Sequence, residues 1–214
     1  YFKTTYGRNT HYIPNGIENP VLREAKQIKD KWGLEKDSYI LFLARIVPEK
    51  GLHYLIDAYE QLHTDKKLVI AGGSSNAMEY MEKIRRKASE NDNILMTDFV
   101  QGEILTELLS NAYLFVLPSD IECMSISLLE AMSYGNCCLV SDINENIEVV
   151  EDMALSFRKG DVQDLKEKLS GLLEDKAKVE AFKQNASGFI TNKYNWDNVI
   201  DETLKLYKKP ANMK

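Results

Sequence analysis

Cysteine, histidine and proline are scarce in this 214-residue chain, at three, three and five residues. Cys137 and Cys138 are neighbours inside an apolar run and Cys123 stands apart. An odd, unspaced set of thiols excludes a disulfide framework and offers no metal-ligand spacing. Reduced, buried thiols are the plain expectation, which points to the cytoplasm. His11, His53 and His63 show no ligand pattern and read as surface or helix-packing residues. No window approaches the roughly 20 apolar residues that a membrane helix needs. Tyr1 to His11 lack the apolar segment of a signal peptide. The chain does not begin with Met, so a start inside a longer protein is expected. No Lys/Arg-rich block occurs and the net charge is −6, so a nucleic-acid partner is not expected. An acidic domain still binds phosphate wherever the local charge is positive.

What the chain does have is apolar bulk: 44% of residues are hydrophobic and 9% aromatic, enough for one full core with or without a helical tail. Short β-rich runs alternate with helical patterns. Strands are expected at 39–44, 68–71, 94–97, 113–117, 137–140 and 154–157, the first of them a continuous apolar run suited to a buried parallel strand. Helices are expected at 52–63, 78–89, 104–110, 127–133, 147–151, 162–173, 176–189 and 198–207, with a frayed tail from Lys208 to Lys214. This alternation predicts an α/β fold: a doubly wound, parallel, Rossmann-like sheet of about six strands, helices on both faces and a helical C-terminal tail. Ligands of such sheets sit beyond the carboxyl ends of the strands, at a topological switch point.

The segments that follow the strands therefore carry the candidate chemistry. Ala44-Arg45-Ile46-Val47-Pro48-Glu49-Lys50-Gly51 places Arg45 and Lys50 five positions apart in a loop that opens a helix. Planar guanidinium, mobile ammonium and free N–H groups at a helix start suit a pyrophosphate. The competing reading is a solvated loop whose cations pair with Glu49 or Asp37. Gly72-Gly73-Ser74-Ser75 would let a ligand approach the backbone, or is only a turn. In the segment Pro118 to Met132, Glu122 lies in the loop and Glu130 eight positions later in the next helix, so both carboxylates can face one ligand and accept sugar hydroxyls. Against this, Glu122 could be a solvent-facing loop acid, and Ser127 with Glu130 fits a capping box.

Together Ile13-Pro14-Asn15-Gly16-Ile17, Ala44-Arg45, Glu49-Lys50-Gly51, Pro118-Ser119, the Glu122 to Glu130 spacing, Leu129-Glu130-Ala131-Met132 with Gly135, and Ser141-Asp142 with Glu148-Val149-Val150 resemble the C-terminal domain of the group 1 (family 4) retaining glycosyltransferases of GT-B fold. The resemblance implies that residues 1–16 end an interdomain linker, that 17–195 bind a nucleotide sugar, and that 196–214 hold a helix crossing to an N-terminal, acceptor-binding domain not contained in this sequence. It implies that Arg45 and Lys50 hold the donor pyrophosphate, that Glu130 binds the ribose hydroxyls, and that Glu122 faces the donor sugar near its reacting carbon. Backbone N–H groups of Cys123, Met124, Ser125 and Ile126 would touch sugar or phosphate. Gly72 and Gly73 would border the donor, with Phe99 and Val100 beside the nucleobase. Two segments depart from the pattern. Cys123-Met124-Ser125 stands where the family has Gly-Phe-Gly, adding side chains where the sugar should sit, and Ile143-Asn144-Glu145-Asn146 stands where glycines are frequent.

The implied reaction transfers a sugar from a nucleoside diphosphate to an acceptor hydroxyl with retention, in glycan, lipid-linked or surface polysaccharide synthesis. Arg45, Lys50 and helix N-termini would stabilise the leaving diphosphate, so neither a metal nor an organic cofactor is required. This chain alone is not expected to complete the reaction, and peripheral contact with the cytoplasmic membrane face would run through the other domain. Two alternatives share the phosphate site. One is another GT-B enzyme, an epimerase or phosphorylase; the other is a non-catalytic nucleotide-sugar-binding module, to which the altered Cys123-Ser125 loop lends support.

Overall fold

A computed structural model describes residues 2–73 and 76–208. In chain order the elements are α1 (Phe2–Tyr6), α2 (Gln27–Trp32), β1 (Tyr39–Leu43), α3 (Leu52–Tyr59), β2 (Lys67–Ala71), α4 (Met78–Ala88), β3 (Ile94–Asp98), α5 (Gly102–Asn111), β4 (Leu114–Leu117), α6 (Ile126–Ser133), β5 (Cys137–Ser141), α7 (Asn144–Val150), β6 (Leu155–Phe157), α8 (Val162–Glu174), α9 (Lys176–Lys193) and α10 (Trp196–Lys208). A single 3-10 turn, Pro48–Lys50, precedes α3. The expected tail falls partly, at 209–214, outside the described residues, as do Ser74 and Ser75 of the glycine-serine loop.

The six strands form one parallel sheet in the order β3-β2-β1-β4-β5-β6. The central strands β1 and β4 are buried on both faces and read as continuous apolar runs, whereas β3 and β6 are only partly buried. Alternate residues feed two cores. Tyr39, Leu41, Phe115, Leu117, Cys138 and Val140 pack with α5, α6 and α7 on one face. Ile40, Phe42, Leu114, Val116, Cys137 and Leu139 pack with α3, α4 and α8 on the other. The chain winds outward from β1 through β2 to β3, then returns to pair β4 with β1. The switch point therefore lies between β1 and β4, and two loops leave their carboxyl ends side by side. No described helix is long and apolar enough to cross a membrane.

Several expectations are corrected. The helix expected from Ser127 starts at Ile126, because the Ser125 hydroxyl accepts the Leu128 N–H and caps it. Ser127 is thus not the cap, and Glu130 lies beyond the capping-box position. Tyr113 precedes β4 and donates its hydroxyl to the Leu172 carbonyl. The helix after β1 stops at Tyr59, not His63. The turn expected at 147–151 is a helix from Asn144. Of the three thiols, Cys137 and Cys138 are buried as expected, whereas Cys123 is exposed. Burial pushes the Cys137 thiol up to about 12 and raises Cys138 well above the ordinary thiol range, which makes both unreactive.

Candidate functional site

The loops after β1 and β4 lock together. Gly51 adopts a left-handed conformation (φ +64°), and a Cβ there would meet the Pro118 carbonyl oxygen at 2.0 Å. Only glycine permits this approach. The Asp120 N–H donates to the Glu49 carbonyl at 2.8 Å, and the Tyr54 hydroxyl donates to Asp120 Oδ2 at 3.2 Å. Across this seam Lys50 Nζ contacts Glu122 Oε1 at 2.5 Å, with side chains only 13% and 5% exposed. The same oxygen accepts the Ser119 hydroxyl at 2.7 Å. A buried ion pair needs such extra donors to offset desolvation. Lys50 thus pairs neither with Glu49 nor with Asp37, whose partner is Lys183. Glu122 is not a solvent-facing loop acid. Arg45 is exposed and makes no side-chain bond to another described residue.

Arg45, Lys50, Glu122, Cys123, Met124, Ser125 and Ile126 line one cavity of about 580 Å³. The first turn of α6, with N–H groups that lack intrahelical partners, borders the same space. An adjoining cavity of about 390 Å³ is lined by Leu43, Ala44, Arg45, Gly72, Gly73, Phe99 and Val100. Ala44 and Arg45 belong to both walls. Gly72 is required by packing, since a Cβ would meet the Ala44 carbonyl oxygen at 1.9 Å. Phe99 is 73% exposed beside this space and Val100 is buried.

Glu130 lies outside the Lys50–Glu122 cavity. It lines a third space, of about 740 Å³, with Asn15, Gly16, Gly102, Thr106 and Ile126 among its walls. Ile126 joins that space to the central one. The structure therefore brings Arg45, Lys50 and Glu122 together and sets Glu130 one helical turn away, around the shoulder of α6. Burial raises the Glu130 carboxyl above its ordinary value.

The Cys123-Met124-Ser125 departure has a local account. Ser125 turns inward as the α6 cap. Met124 packs on the core, and its sulfur accepts the Asn15 N–H at 3.4 Å. Cys123 alone of the three is exposed. Ser119 and Gly51 stand in the family motifs with no expected part in the site, yet both build the seam between the two loops. The signal for Ser119 was its place three residues before Glu122, within reach of its carboxylate.

Residues 24–189 match the model of the family described as Glycosyl transferases group 1. An uncharacterized glycosyltransferase of Methanocaldococcus jannaschii is 30% identical over 178 residues, covering 81% of this chain and 45% of that protein. The chain spans about half the length of the curated relatives it matches. Among solved structures, sucrose-phosphate synthase from Thermosynechococcus elongatus superposes with a TM-score of 0.82 at 21% identity, over 97% of this chain and 55% of that one. The Anabaena HepE protein in complex with UDP-glucose gives 0.76 at 19% identity, over 84% and 52%. These structures share the fold.

Proposed function

Because the chain belongs to the group 1 glycosyl transferases, we propose that it is the donor-binding half of a retaining glycosyltransferase that takes a nucleoside-diphosphate sugar and delivers the sugar to an acceptor hydroxyl. One observation carries this reading: an exposed guanidinium, a half-buried ammonium, a carboxylate and a helix N-terminus border one cavity at the β1–β4 switch point. The diphosphate lies between Arg45 and Lys50 at the mouth of α6. Ribose reaches Glu130 around Ile126, and the base lies toward Gly73, Phe99 and Val100. The UDP-glucose complex of the structurally similar HepE protein supports this donor class.

In the reaction the bond between the anomeric carbon and the phosphate oxygen breaks, and its electron pair leaves with the diphosphate. Arg45 and Lys50 stabilise that growing charge. Lys50 is already desolvated and oriented by Glu122, so little reorganisation is needed when phosphate arrives. Glu122 commits Oε1 to Ser119 and Lys50, leaving Oε2 to orient the sugar and oppose the positive charge that develops on its ring. The acceptor hydroxyl, its proton passing to the departing phosphate, attacks from the face the diphosphate leaves. The acceptor, a glycan, lipid-linked sugar or surface polysaccharide, binds to an N-terminal half that docks on α10. The free thiols support a reducing, cytoplasmic setting.

The test is UDP binding and turnover with Arg45→Ala and Lys50→Ala. Loss of a charge-assisted bond predicts UDP affinity about tenfold or more weaker for each. Arg45→Ala does so without lowering the unfolding midpoint, since Arg45 is exposed and has no side-chain partner among the described residues. Lys50→Ala also destabilises, because it strands the Glu122 carboxylate. Wild-type affinity and turnover in both variants overturn the assignment.

A further inference from the structure

The Ile143–Asn146 departure from the family pattern leads to the site. Asn146 is 1% exposed at the third position of α7. Its Nδ2 donates to the Ser141 hydroxyl at 3.0 Å and to the Ser141 carbonyl at 3.2 Å. A carbonyl only accepts, so the amide nitrogen must face it. Ser141, fully buried at the end of β5, donates its hydroxyl to the Ser119 carbonyl at 2.5 Å. Ser119, also fully buried, donates its own hydroxyl to Glu122 Oε1.

Each member fixes the next. With Nδ2 occupying a lone pair of Ser141 Oγ, the single hydroxyl proton points to Ser119. That bond holds the Ser119 peptide, and the Ser119 side chain holds the carboxylate. The run crosses from α7 through β5 to the loop after β4, every donor directed toward Glu122. Buried networks of this kind lock a geometry only when each member is satisfied.

We propose that Asn146 is a positioning residue for Glu122, acting through Ser141 and Ser119. The proposal rests on the reading of Glu122 as the carboxylate that faces the donor sugar. It gives a segment that breaks the glycine pattern a specific part in the reaction.

The test uses Asn146→Asp, Ser141→Ala and Ser141→Thr. Aspartate has the same shape but only accepts, so it draws the Ser141 proton away from Ser119. In crystals of the 214-residue chain, Asn146→Asp and Ser141→Ala are expected to part Glu122 from Ser119 beyond about 3.5 Å. In the protein carrying both halves, with UDP-glucose as donor probe, both variants are expected to lower kcat about tenfold or more. The UDP dissociation constant of the chain stays within about twofold of wild type. Ser141→Thr, which keeps the hydroxyl, restores kcat. An unmoved Glu122 in both crystals overturns the relay, as does a loss of UDP affinity equal to the loss of kcat. If the wild type transfers no sugar, the donor reading of Glu122 falls, while the crystals still decide whether Asn146 positions it.

Discussion

Burial holds the Glu130 carboxyl above its ordinary value. Between the ordinary value and the raised one, the folded chain binds more protons than the unfolded chain. Stability is therefore full below the ordinary carboxylate range and declines as pH rises through the raised value. Glu130→Gln is expected to unfold at a higher temperature than wild type at pH 7, and at the same temperature at acid pH below both values. The same change removes a charged acceptor from the ribose hydroxyls, so UDP affinity should fall about tenfold. Thermal scans at the two pH values and calorimetry check both halves of this prediction. A residue kept at the expense of stability marks a functional position. Arg45, Lys50 and Glu122 stood out in sequence because they follow parallel strands, and the structure brings these three to one cavity, whereas Glu130, inside α6, stood out by the family spacing and lines another. The partner of Lys50 was not legible, because the contact spans 72 positions and depends on how two loops meet. Ser119, Ser141 and Asn146 escaped for the same reason: small polar residues gain a role only when burial leaves them one partner each.

Elements differ in how far local pattern decides them. The central strands were the most readable, since two-sided burial demands unbroken apolar runs such as those at 40–42 and 114–117, whereas β3 and β6 are only partly buried. The short α2 was not readable: Ile28 is its only buried residue, and its first N–H groups are capped by Glu107 from α5, about eighty positions away. Burial alone would raise the Glu107 carboxyl, yet those N–H bonds, with Lys26, hold it below its ordinary value. At the other end of the chain, α10 has the reverse character. None of its described residues is buried, and Trp196, Ile200, Leu204 and Tyr207 are exposed along it at helical spacing. Its start is fixed to the chain entry, because a Cβ on Gly16 would meet the Trp196 ring at 2.6 Å. A double change, Ile200→Ser with Leu204→Ser, is expected to leave the unfolding free energy of the 214-residue chain within about 0.5 kcal/mol of wild type. On the proposed function it should weaken association with an acceptor-binding half, read by titrating the two halves. A large loss of stability in the isolated chain would show instead that this face packs at home.

At the scale of the whole molecule, the winding of the sheet makes the site. Because β1 pairs with β2 on one side and β4 on the other, the chain leaves both strands in opposite directions, and a crevice opens between their loops. Arg45 and Lys50 come from one loop and Glu122 from the other, so the crevice collects charges from distant segments of an otherwise acidic chain. A doubly wound parallel sheet was expected from alternation and right-handed crossovers, which put the candidate residues beyond its carboxyl ends, but the strand order that sets the switch point between β1 and β4 rests on long-range pairing. The division of the crevice into three joined spaces could not be expected, because α6 begins one residue earlier than its cap was read and turns Glu130 around its shoulder. The proposed function puts a diphosphate in the β1–β4 crevice. In a crystal structure of the 214-residue chain with UDP, phosphate oxygens are expected within hydrogen-bonding distance of both Arg45 and Lys50, with the ribose hydroxyls on Glu130. A nucleotide bound elsewhere, with the crevice filled only by water, would contradict it.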